Sequence, residues 1–203
     1  MPEDQFVTEA LAVAQEILTP PLSVRRGAVL LYQVTVNNRL ELTVNPKKPV
    51  RGKSAFQTDL CVFEEVGEDE KILLPRVVIE FKMGITTHDV ITYSAKARKH
   101  KQVYPYLRYG ILSSKESAIP GRVFVHNEAL DFCVAAANLS SDQFRKTLAA
   151  LLSDEIEASR RLENIAFGRI SARIFRTDVV LNIETEDEYE VKRRRGNDRR
   201  AGA

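Results

Sequence analysis

The sequence has few of the features that mark secreted, membrane-spanning or zinc-binding proteins. Its two cysteines, Cys61 and Cys133, lie within apolar runs without histidines nearby, which argues against a zinc site and fits a reducing compartment. No run of about 18 apolar residues is present, so we expect no membrane span. Residues 1–5 are acidic and lack the basic flank and apolar core of a signal peptide. These absences predict a cytoplasmic protein with no membrane partner.

The composition is that of a globular domain, but its charge is unevenly distributed. Of the 203 residues, 44% are hydrophobic and 29% charged, which is ordinary for a chain that buries a core. The net charge is +2, yet residues 192–203 alone contribute +5, which leaves −3 for the rest. This tail has no apolar periodicity, so we expect a single domain at 1–191 and a disordered basic tail at 192–203. The tail either holds nucleic-acid phosphates or merely solubilises the chain.

Apolar periodicity and turn signals predict alternating helices and strands. Their order is that of an α/β sandwich in which a central mixed sheet is flanked by helices. The predicted elements are a helix at 5–18, strands at 28–36 and 39–44 around Asn37 and Asn38, strands at 56–64 and 73–83, a helix from Thr86 to about Tyr104, short strands at 108–113 and 122–126, an ambiguous segment at 128–136, a helix at 141–166 with a serine cap, and an apolar segment at 173–183.

Three charged residues interrupt the apolar strands in the middle of the chain. Glu80 and Lys82 lie two apart, so they share one face of their strand, and Asp59 lies in the preceding run. Charges on mostly apolar strands cost several kcal/mol unless they pair or hold a metal ion. An ordinary Glu80–Lys82 ion pair on a solvent-facing strand is one interpretation. Asp59 on a neighbouring strand favours a functional site instead.

Two carboxylates and a lysine on adjacent strands suit metal-assisted cleavage of a phosphodiester bond. Asp59 and Glu80 are expected to hold Mg²⁺, with Mn²⁺ as an alternative, and the backbone carbonyl of Phe81 is a further candidate ligand. Lys82 is expected to orient or help deprotonate the attacking water, or to stabilise the developing negative charge. The residue types therefore predict a hydrolase that acts on nucleic acid.

The segment from Asp59 to Tyr109 resembles the PD-(D/E)XK nuclease superfamily, whose members share the restriction-endonuclease-like fold. The family pattern is an acidic residue on one strand, Glu-x-Lys at the end of the next, and then a helix and a strand. Asp59, Glu80 and Lys82 stand at those places, while Thr58 stands where the pattern has proline. The resemblance implies a Mg²⁺-dependent DNA endonuclease of the restriction, DNA-defence or repair type, and we expect it to act on DNA as a homodimer.

The resemblance also implies residues outside the central motif. An acidic residue of the first helix often completes the metal site in this family, and Glu9 is the favoured candidate, with Glu16 and Glu41 as alternatives. Gln102 and Tyr106 resemble a Gln-x-x-x-Tyr element that reaches the active centre or the substrate backbone in some branches. Alternatively, Gln102 is a surface residue and Tyr106 a packing residue.

Basic residues just before and within the motif core at 56–113 are candidates for DNA binding. They are interleaved with aromatic residues, as on surfaces that follow a nucleic-acid backbone, although a charged helix face is often simply solvated. Two other functions stay open, a non-catalytic nucleic-acid-binding module and a regulatory module that uses the C-terminal helical extension at 141–166 as its contact surface. The candidate DNA-binding residues are Lys99, Lys101, Arg51 and Lys53 together with Gln102 and Tyr106.

Overall fold

The computed structural model describes residues 2–174 and contains a five-stranded mixed sheet with helices on both faces. The residues up to Ser171 form one compact unit. Most of the predicted segment at 173–183, the domain boundary at 191 and the basic tail at 192–203 lie outside the described residues. In chain order, the elements are α1 (Glu3–Ile17), β1 (Leu22–Arg26), β2 (Val29–Leu31), β3 (Ala55–Gln57), β4 (Leu60–Val66), β5 (Ile72–Lys82), α2 (Thr87–Val103), β6 (Arg108–Ser113), α3 (Gly121–His126), β7 (Phe132–Ala135) and α4 (Ser141–Ala166).

The strand order of the main sheet is β1-β4-β5-β6-β7, so β5 is the central strand. β4 runs antiparallel to both β1 and β5, whereas β6 runs parallel to β5 and β7. Helix α2 makes the crossover between the parallel strands β5 and β6, as parallel pairing requires. The carboxyl ends of β5, β6 and β7 and the beginning of β4 therefore meet at one edge of the sheet. This arrangement confirms the predicted mixed sheet flanked by helices.

Two apolar cores cover the two faces of the sheet. Helices α1 and α4 pack on one face, where Ile79 and Phe81 of β5 join Phe6 of α1. Helices α2 and α3 pack on the other face, where Val78 of β5 contacts this second core. Because side chains alternate along a strand, Glu80 lies on the face that α2 covers. The layers thus place a carboxylate between the central strand and a helix.

The two longest helices begin at reciprocal capping interactions, which fix their starts. The Thr86 hydroxyl accepts a hydrogen bond from Asp89 N at 3.1 Å, and the Asp89 carboxylate accepts one from Thr86 N at 2.8 Å. Ser140 and Gln143 form the same box at the beginning of α4. Helix α2 ends at Val103, two residues before a proline that cannot continue it. These results confirm the predicted helices at both places.

Several predicted strands differ from the observed elements. The segment at 122–126 is helix α3 rather than a strand, because only Val123 is buried against the second core while Phe124 and Val125 are exposed. The segment at 128–136 contains strand β7, and β1 was not predicted. Of the strands predicted at 28–36 and 39–44, only β2 forms, and a single bridge joins Val36 to Leu42 across the predicted turn. Among residues 2–174, no helix is long and apolar enough to cross a membrane.

A buried histidine ties α2 to β2 and should make stability depend on pH. His100 is 0% exposed, and its Nδ1–H donates to the carbonyl of Leu31 at 2.8 Å. Burial lowers the pKa of His100 to about 4. The unfolded chain therefore binds a proton at higher pH than the native state does, so stability is lost as the pH falls from about 6.5 towards 4. Between pH 7 and pH 5 the loss should be about 2 kcal/mol.

The difference between the wild type and His100→Gln in urea denaturation at the two pH values measures this loss, because other titrating groups contribute equally to both proteins. The His100→Gln variant should lack this component of the pH dependence, whereas a variant of an exposed histidine, His126→Gln, should keep it. Equal pH dependence in the wild type and in His100→Gln would contradict the assignment.

Candidate active site

Asp59 and Glu80 lie opposite each other, Asp59 just before the beginning of β4 and Glu80 near the end of β5. Leu60, the first residue of β4, pairs with Ile79, so the residue before Leu60 lies opposite the residue after Ile79. Asp59 is in a bend between β3 and β4, not within one continuous strand as predicted from the sequence. Its Oδ2 accepts a hydrogen bond from Phe81 N at 2.9 Å. The bend breaks the ladder, so the Asp59 side chain takes the place of a strand partner for β5.

The same hydrogen bond fixes the direction of the Phe81 carbonyl. The N–H and C=O groups of one residue in a strand point to the same side, and those of the next residue point to the opposite side. Phe81 N points to Asp59, while Lys82 O accepts from Ser114 N at 3.0 Å on the β6 side. The Phe81 carbonyl therefore faces Asp59, where the sequence predicted a third oxygen ligand.

Glu80 is buried at 2% exposure in a polar pocket beneath α2. The Tyr109 hydroxyl donates to its Oε1, and the Nζ of Lys96 lies 3.9 Å from the same oxygen. Burial raises the pKa of Glu80 to about 7; the Lys96 ammonium opposes this rise and the Asp59 carboxylate adds to it. Two neighbouring carboxylates that repel each other are a donor set that a divalent cation stabilises.

Lys82 pairs with the first helix and not with Glu80. Its Nζ lies 3.1 and 3.2 Å from the two carboxylate oxygens of Glu3, and 5.4 Å from the centre of the Tyr93 ring. Burial on its own lowers the pKa of Lys82, but Tyr93 and Glu3 outweigh it, so the pKa lies above its usual value. The sequence left open an ordinary ion pair between Glu80 and Lys82. Within residues 2–174, Lys82 pairs with Glu3 and makes no ion pair with Glu80.

The acidic residue of α1 that reaches the site is Glu3. Glu9, the favoured candidate, lies six residues further along the helix, about 9 Å away along its axis. Glu16 binds Arg145 of α4 at 2.6 Å, and the alternative on the hairpin, Glu41, accepts from an asparagine side chain at 2.9 Å. Sequence reasoning missed Glu3 because the predicted helix began at residue 5. The signal that finds it is an acidic residue in the first helical turn.

Three more side chains complete the surroundings of the carboxylates. Tyr93 and Lys96 lie one turn apart on α2, and the Lys96 ammonium is 4.6 Å from the centre of the Tyr93 ring. Tyr109 comes from β6, the strand after the crossover. From the sequence, the basic run on α2 was a candidate DNA-binding surface, with a merely solvated helix face as the alternative. The three-residue spacing of Tyr93 and Lys96 is the signal that places both on the inner face.

The structure does not bring Gln102 and Tyr106 to the carboxylates. Gln102 is exposed in the last turn of α2, and Tyr106 follows the end of that helix. The Tyr106 ring is 5% exposed and lies 5.4 Å from the guanidinium carbon of Arg76. Arg76 is four residues before Glu80 on β5, which is about 13 Å along the strand. Tyr106 is thus a packing residue at the opposite end of the strand.

The two predicted DNA-binding lysines of α2 differ in whether their charge is free to bind a phosphate. The Nζ of Lys101 lies 2.7 Å from Asp131 and donates to the carbonyl of Ala129, so its charge is already compensated inside the fold. Lys99 is exposed, with its Nζ 5.2 Å from the centre of the Tyr32 ring. Lys99 is therefore the lysine of this pair that a phosphate can approach.

The two basic candidates of the 46–53 loop lie close to β3. Arg51 donates to the Gln57 side chain at 2.8 Å, which leaves its positive charge facing a neutral partner. Lys53 is exposed, and its carbonyl accepts a hydrogen bond from the Tyr32 hydroxyl at 3.3 Å. Both residues therefore lie on the side of the molecule that carries Tyr32 and Lys99.

The donor set at the bend fits Mg²⁺. Within residues 2–174, no group of three or more His, Cys, Asp or Glu side chains is close enough to hold a metal ion by itself. Mg²⁺ commonly uses only one or two carboxylates and keeps several water ligands. Asp59, Glu80 and the Phe81 carbonyl supply two carboxylates and one neutral oxygen, which meets that requirement.

Comparison with known proteins adds no assignment to this site. No protein-family model matches the sequence, and no curated protein matches it either. The argument for function therefore depends on the arrangement of Asp59, Glu80 and Lys82 and on the side chains that hold them.

Proposed function

We propose that this protein is a Mg²⁺-dependent endonuclease with a restriction-endonuclease-like fold that hydrolyses DNA phosphodiester bonds in restriction, DNA defence or repair. One observation carries the proposal: Asp59 and Glu80 meet at the end of the central strand, and Lys82 follows two residues later on the same face of that strand. The order of elements around them agrees with the resemblance to PD-(D/E)XK nucleases. The proposal includes a homodimer, since cutting both strands symmetrically takes two sites.

The carboxylates are held by groups that limit their freedom. Phe81 N fixes the Asp59 carboxylate, and the Tyr109 hydroxyl fixes that of Glu80. Asp59, Glu80 and the Phe81 carbonyl would hold Mg²⁺, which when bound neutralises phosphate charge and acidifies a water molecule. Because both carboxylates are oriented before substrate arrives, little reorganisation is needed at the reacting centre.

Two ammonium groups supply positive charge beside the carboxylates. Lys82 is restrained by Glu3, and Lys96 lies over Tyr93 at 4.6 Å. A lysine ammonium can donate up to three hydrogen bonds, so Lys82 donates to a phosphate oxygen or to the attacking water without losing its contact with Glu3. Lys96 holds a second phosphate oxygen on the α2 side. These roles are electrostatic positioning of a phosphodiester.

Cleavage of supercoiled plasmid DNA tests the proposed function. The wild type with Mg²⁺ should convert plasmid to nicked and linear forms, and EDTA should stop the reaction. Lys82→Ala should lower the rate by about 10² to 10³-fold, because a positioned cation is lost at the reacting phosphate. A control variant, Lys146→Ala, removes an exposed lysine of α4 and should cleave like the wild type.

The outcomes separate the enzyme claim from the site assignment. Wild-type protein that cleaves no DNA with Mg²⁺ or Mn²⁺ would refute the enzyme, and DNA binding without cleavage would point to the non-catalytic module. Equal cleavage by wild type and Lys82→Ala would refute the site.

The contact between Glu3 and Lys82 gives a second prediction. Glu3→Gln should lower the cleavage rate by about 10-fold, because residues that orient the groups of a metal site typically contribute 10 to 100-fold. The matched variant Glu9→Gln removes a carboxylate from the same helix, away from Lys82, and should leave the rate unchanged. Initial rates under Mg²⁺ saturation measure both. A larger loss in Glu9→Gln than in Glu3→Gln would restore Glu9 as the acidic residue of the site.

A further inference from the structure

Two aromatic rings stack on each other beside the carboxylate–lysine site. The ring centres of Tyr32 and Phe56 are 4.1 Å apart, and their planes differ by 22°. Phe56 is the middle residue of β3, and Tyr32 directly follows β2, its antiparallel partner. Both rings are partly exposed. We call this pair the aromatic platform.

Lysines of α2 line the aromatic platform. The Nζ of Lys99 is 5.2 Å from the centre of the Tyr32 ring and 6.0 Å from that of Phe56. The Nζ of Lys96 is 5.9 Å from the Phe56 ring, and it is also 3.9 Å from Glu80 Oε1. Lys96 is therefore a neighbour of both features, so the aromatic platform adjoins the proposed cleavage centre.

We propose that the aromatic platform binds an unpaired nucleobase by stacking, while Lys96 and Lys99 hold the phosphates on either side of that base. The inference deepens the proposed function, on which it rests, by naming the substrate class: DNA with a single-stranded segment next to the bond that is cut. A base that stacks on the platform displaces an ammonium group from a ring. The long, flexible lysine stem allows that ammonium to move to the adjacent phosphate.

Stacking on the platform selects unpaired bases. In a duplex both faces of each interior base are covered by its neighbours, so only an unpaired or flipped base, or a strand end, offers a free face. Aromatic rings combined with basic side chains along a groove are the feature that binds single strands with little sequence preference. Tyr32 and Phe56 supply the aromatic rings, and Lys96 and Lys99 supply the basic side chains beside them.

The basic 46–53 loop continues the positive surface beyond the rings. The Tyr32 hydroxyl donates to the Lys53 carbonyl, which fastens the loop to the platform. Arg51 is held to β3 through Gln57, a neutral partner, so its charge is available to a phosphate. A strand that leaves the platform away from Glu80 therefore meets further cations. This gives the bound strand a direction, from the carboxylates across the rings to the loop.

The absence of tryptophan from the sequence allows a direct test. A Tyr32→Trp variant carries one indole on the platform, and its fluorescence can be titrated with oligothymidylate in EDTA, where no cleavage occurs. We expect the emission to be quenched by the single strand and not by a blunt-ended duplex, since stacking on a base quenches indole. A second reporter, Phe124→Trp, lies on α3 at a position 58% exposed and should respond to neither. Oligouridylate should quench as well, because stacking does not read the sugar.

Affinity measurements complete the test. Tyr32→Ala should weaken binding of oligothymidylate by about 10-fold, and Tyr32→Phe, which keeps the stacking ring and loses only the hydroxyl bond to the Lys53 carbonyl, should weaken binding less than Tyr32→Ala does. Unchanged affinity in a folded Tyr32→Ala protein, or equal quenching of Tyr32→Trp by duplex and single strand, would overturn the inference. If the single strand quenched the indole but the protein cleaved no DNA, the proposed nuclease activity would be refuted and the proposed stacking on the platform would stand. If Tyr32→Ala cleaved DNA at the wild-type rate, the proposed role of the platform would be refuted and the proposed nuclease activity would stand.

Discussion

Replacing Glu80 with glutamine is expected to lower the rate of Mg²⁺-dependent DNA cleavage by about 10³-fold, which corresponds to about 4 kcal/mol of lost transition-state stabilisation. Glutamine has the size of glutamate and can still accept the hydrogen bond from Tyr109. What it removes is one of the two negative charges that would hold the cation at Asp59. The loss should therefore fall on metal-dependent activity and not on packing.

Single-turnover cleavage rates at several Mg²⁺ concentrations measure this effect. A matched control is Glu68→Gln, which neutralises an exposed glutamate in the turn between β4 and β5 and should leave the rate unchanged. In metal-free buffer Glu80→Gln should be at least as stable as the wild type, since it removes a buried charge. A folded Glu80→Gln protein with a wild-type rate would show that Glu80 takes no part in the reaction.

Replacing Arg76 with methionine is expected to lower the free energy of unfolding by about 4 kcal/mol. Arg76 is 3% exposed and bridges two carboxylates, with Nε 2.7 Å from Glu64 on β4 and Nη1 2.6 Å from Glu163 on α4. Arg160 compensates Glu64 from a second side at 2.7 Å. Without Arg76, Glu163 keeps only the exposed Arg169 at 2.9 Å, and a buried charge that has lost its buried partner is costly.

Urea denaturation at neutral pH measures the loss in Arg76→Met. The control is Arg161→Met, which breaks an exposed pair with Glu157 on the same helix and should cost no more than about 0.5 kcal/mol. If the two variants were destabilised equally, the burial of the Arg76 network would contribute nothing. Because Arg76 lies about 13 Å from Glu80 along β5, its loss should leave the metal affinity of the folded protein unchanged.

Local signals predicted much of the fold. Thr86 caps α2 at the place where the sequence predicted the helix to begin, and Pro105 follows the end of α2. The alternation that placed Glu80 and Lys82 on one strand face is observed, because β5 pairs with β6 in one unbroken register from Val77 to Lys82. These features are set by neighbours in sequence, so one-dimensional patterns are sufficient to find them.

The remainder of the site depends on tertiary packing. Glu3 contacts Lys82, whereas Lys96 and Tyr109 contact Glu80. The three residues come from three different elements, and no pattern in the sequence relates their positions. The bend at Asp59 was hidden within an apolar run that reads as one continuous strand. The spacing of Gln102 and Tyr106 suited a continuous helix, but α2 ends at Val103. Tyr106 therefore lies outside the helix, and its ring packs against Arg76 at the other end of β5.

The Glu3–Lys82 contact makes the arrangement of the site depend on the packing of α1 against the sheet. The two residues are 79 positions apart in the chain, so joining them closes a long loop whose entropy has to be offset by the packing of α1 on the sheet. The short stretch that carries Asp59, Glu80 and Lys82 contains the chemical groups but not the contact that restrains the lysine. The complete site therefore requires α1 to be packed on the sheet, and a chain that has folded only the β4–β5 hairpin does not hold its lysine in place.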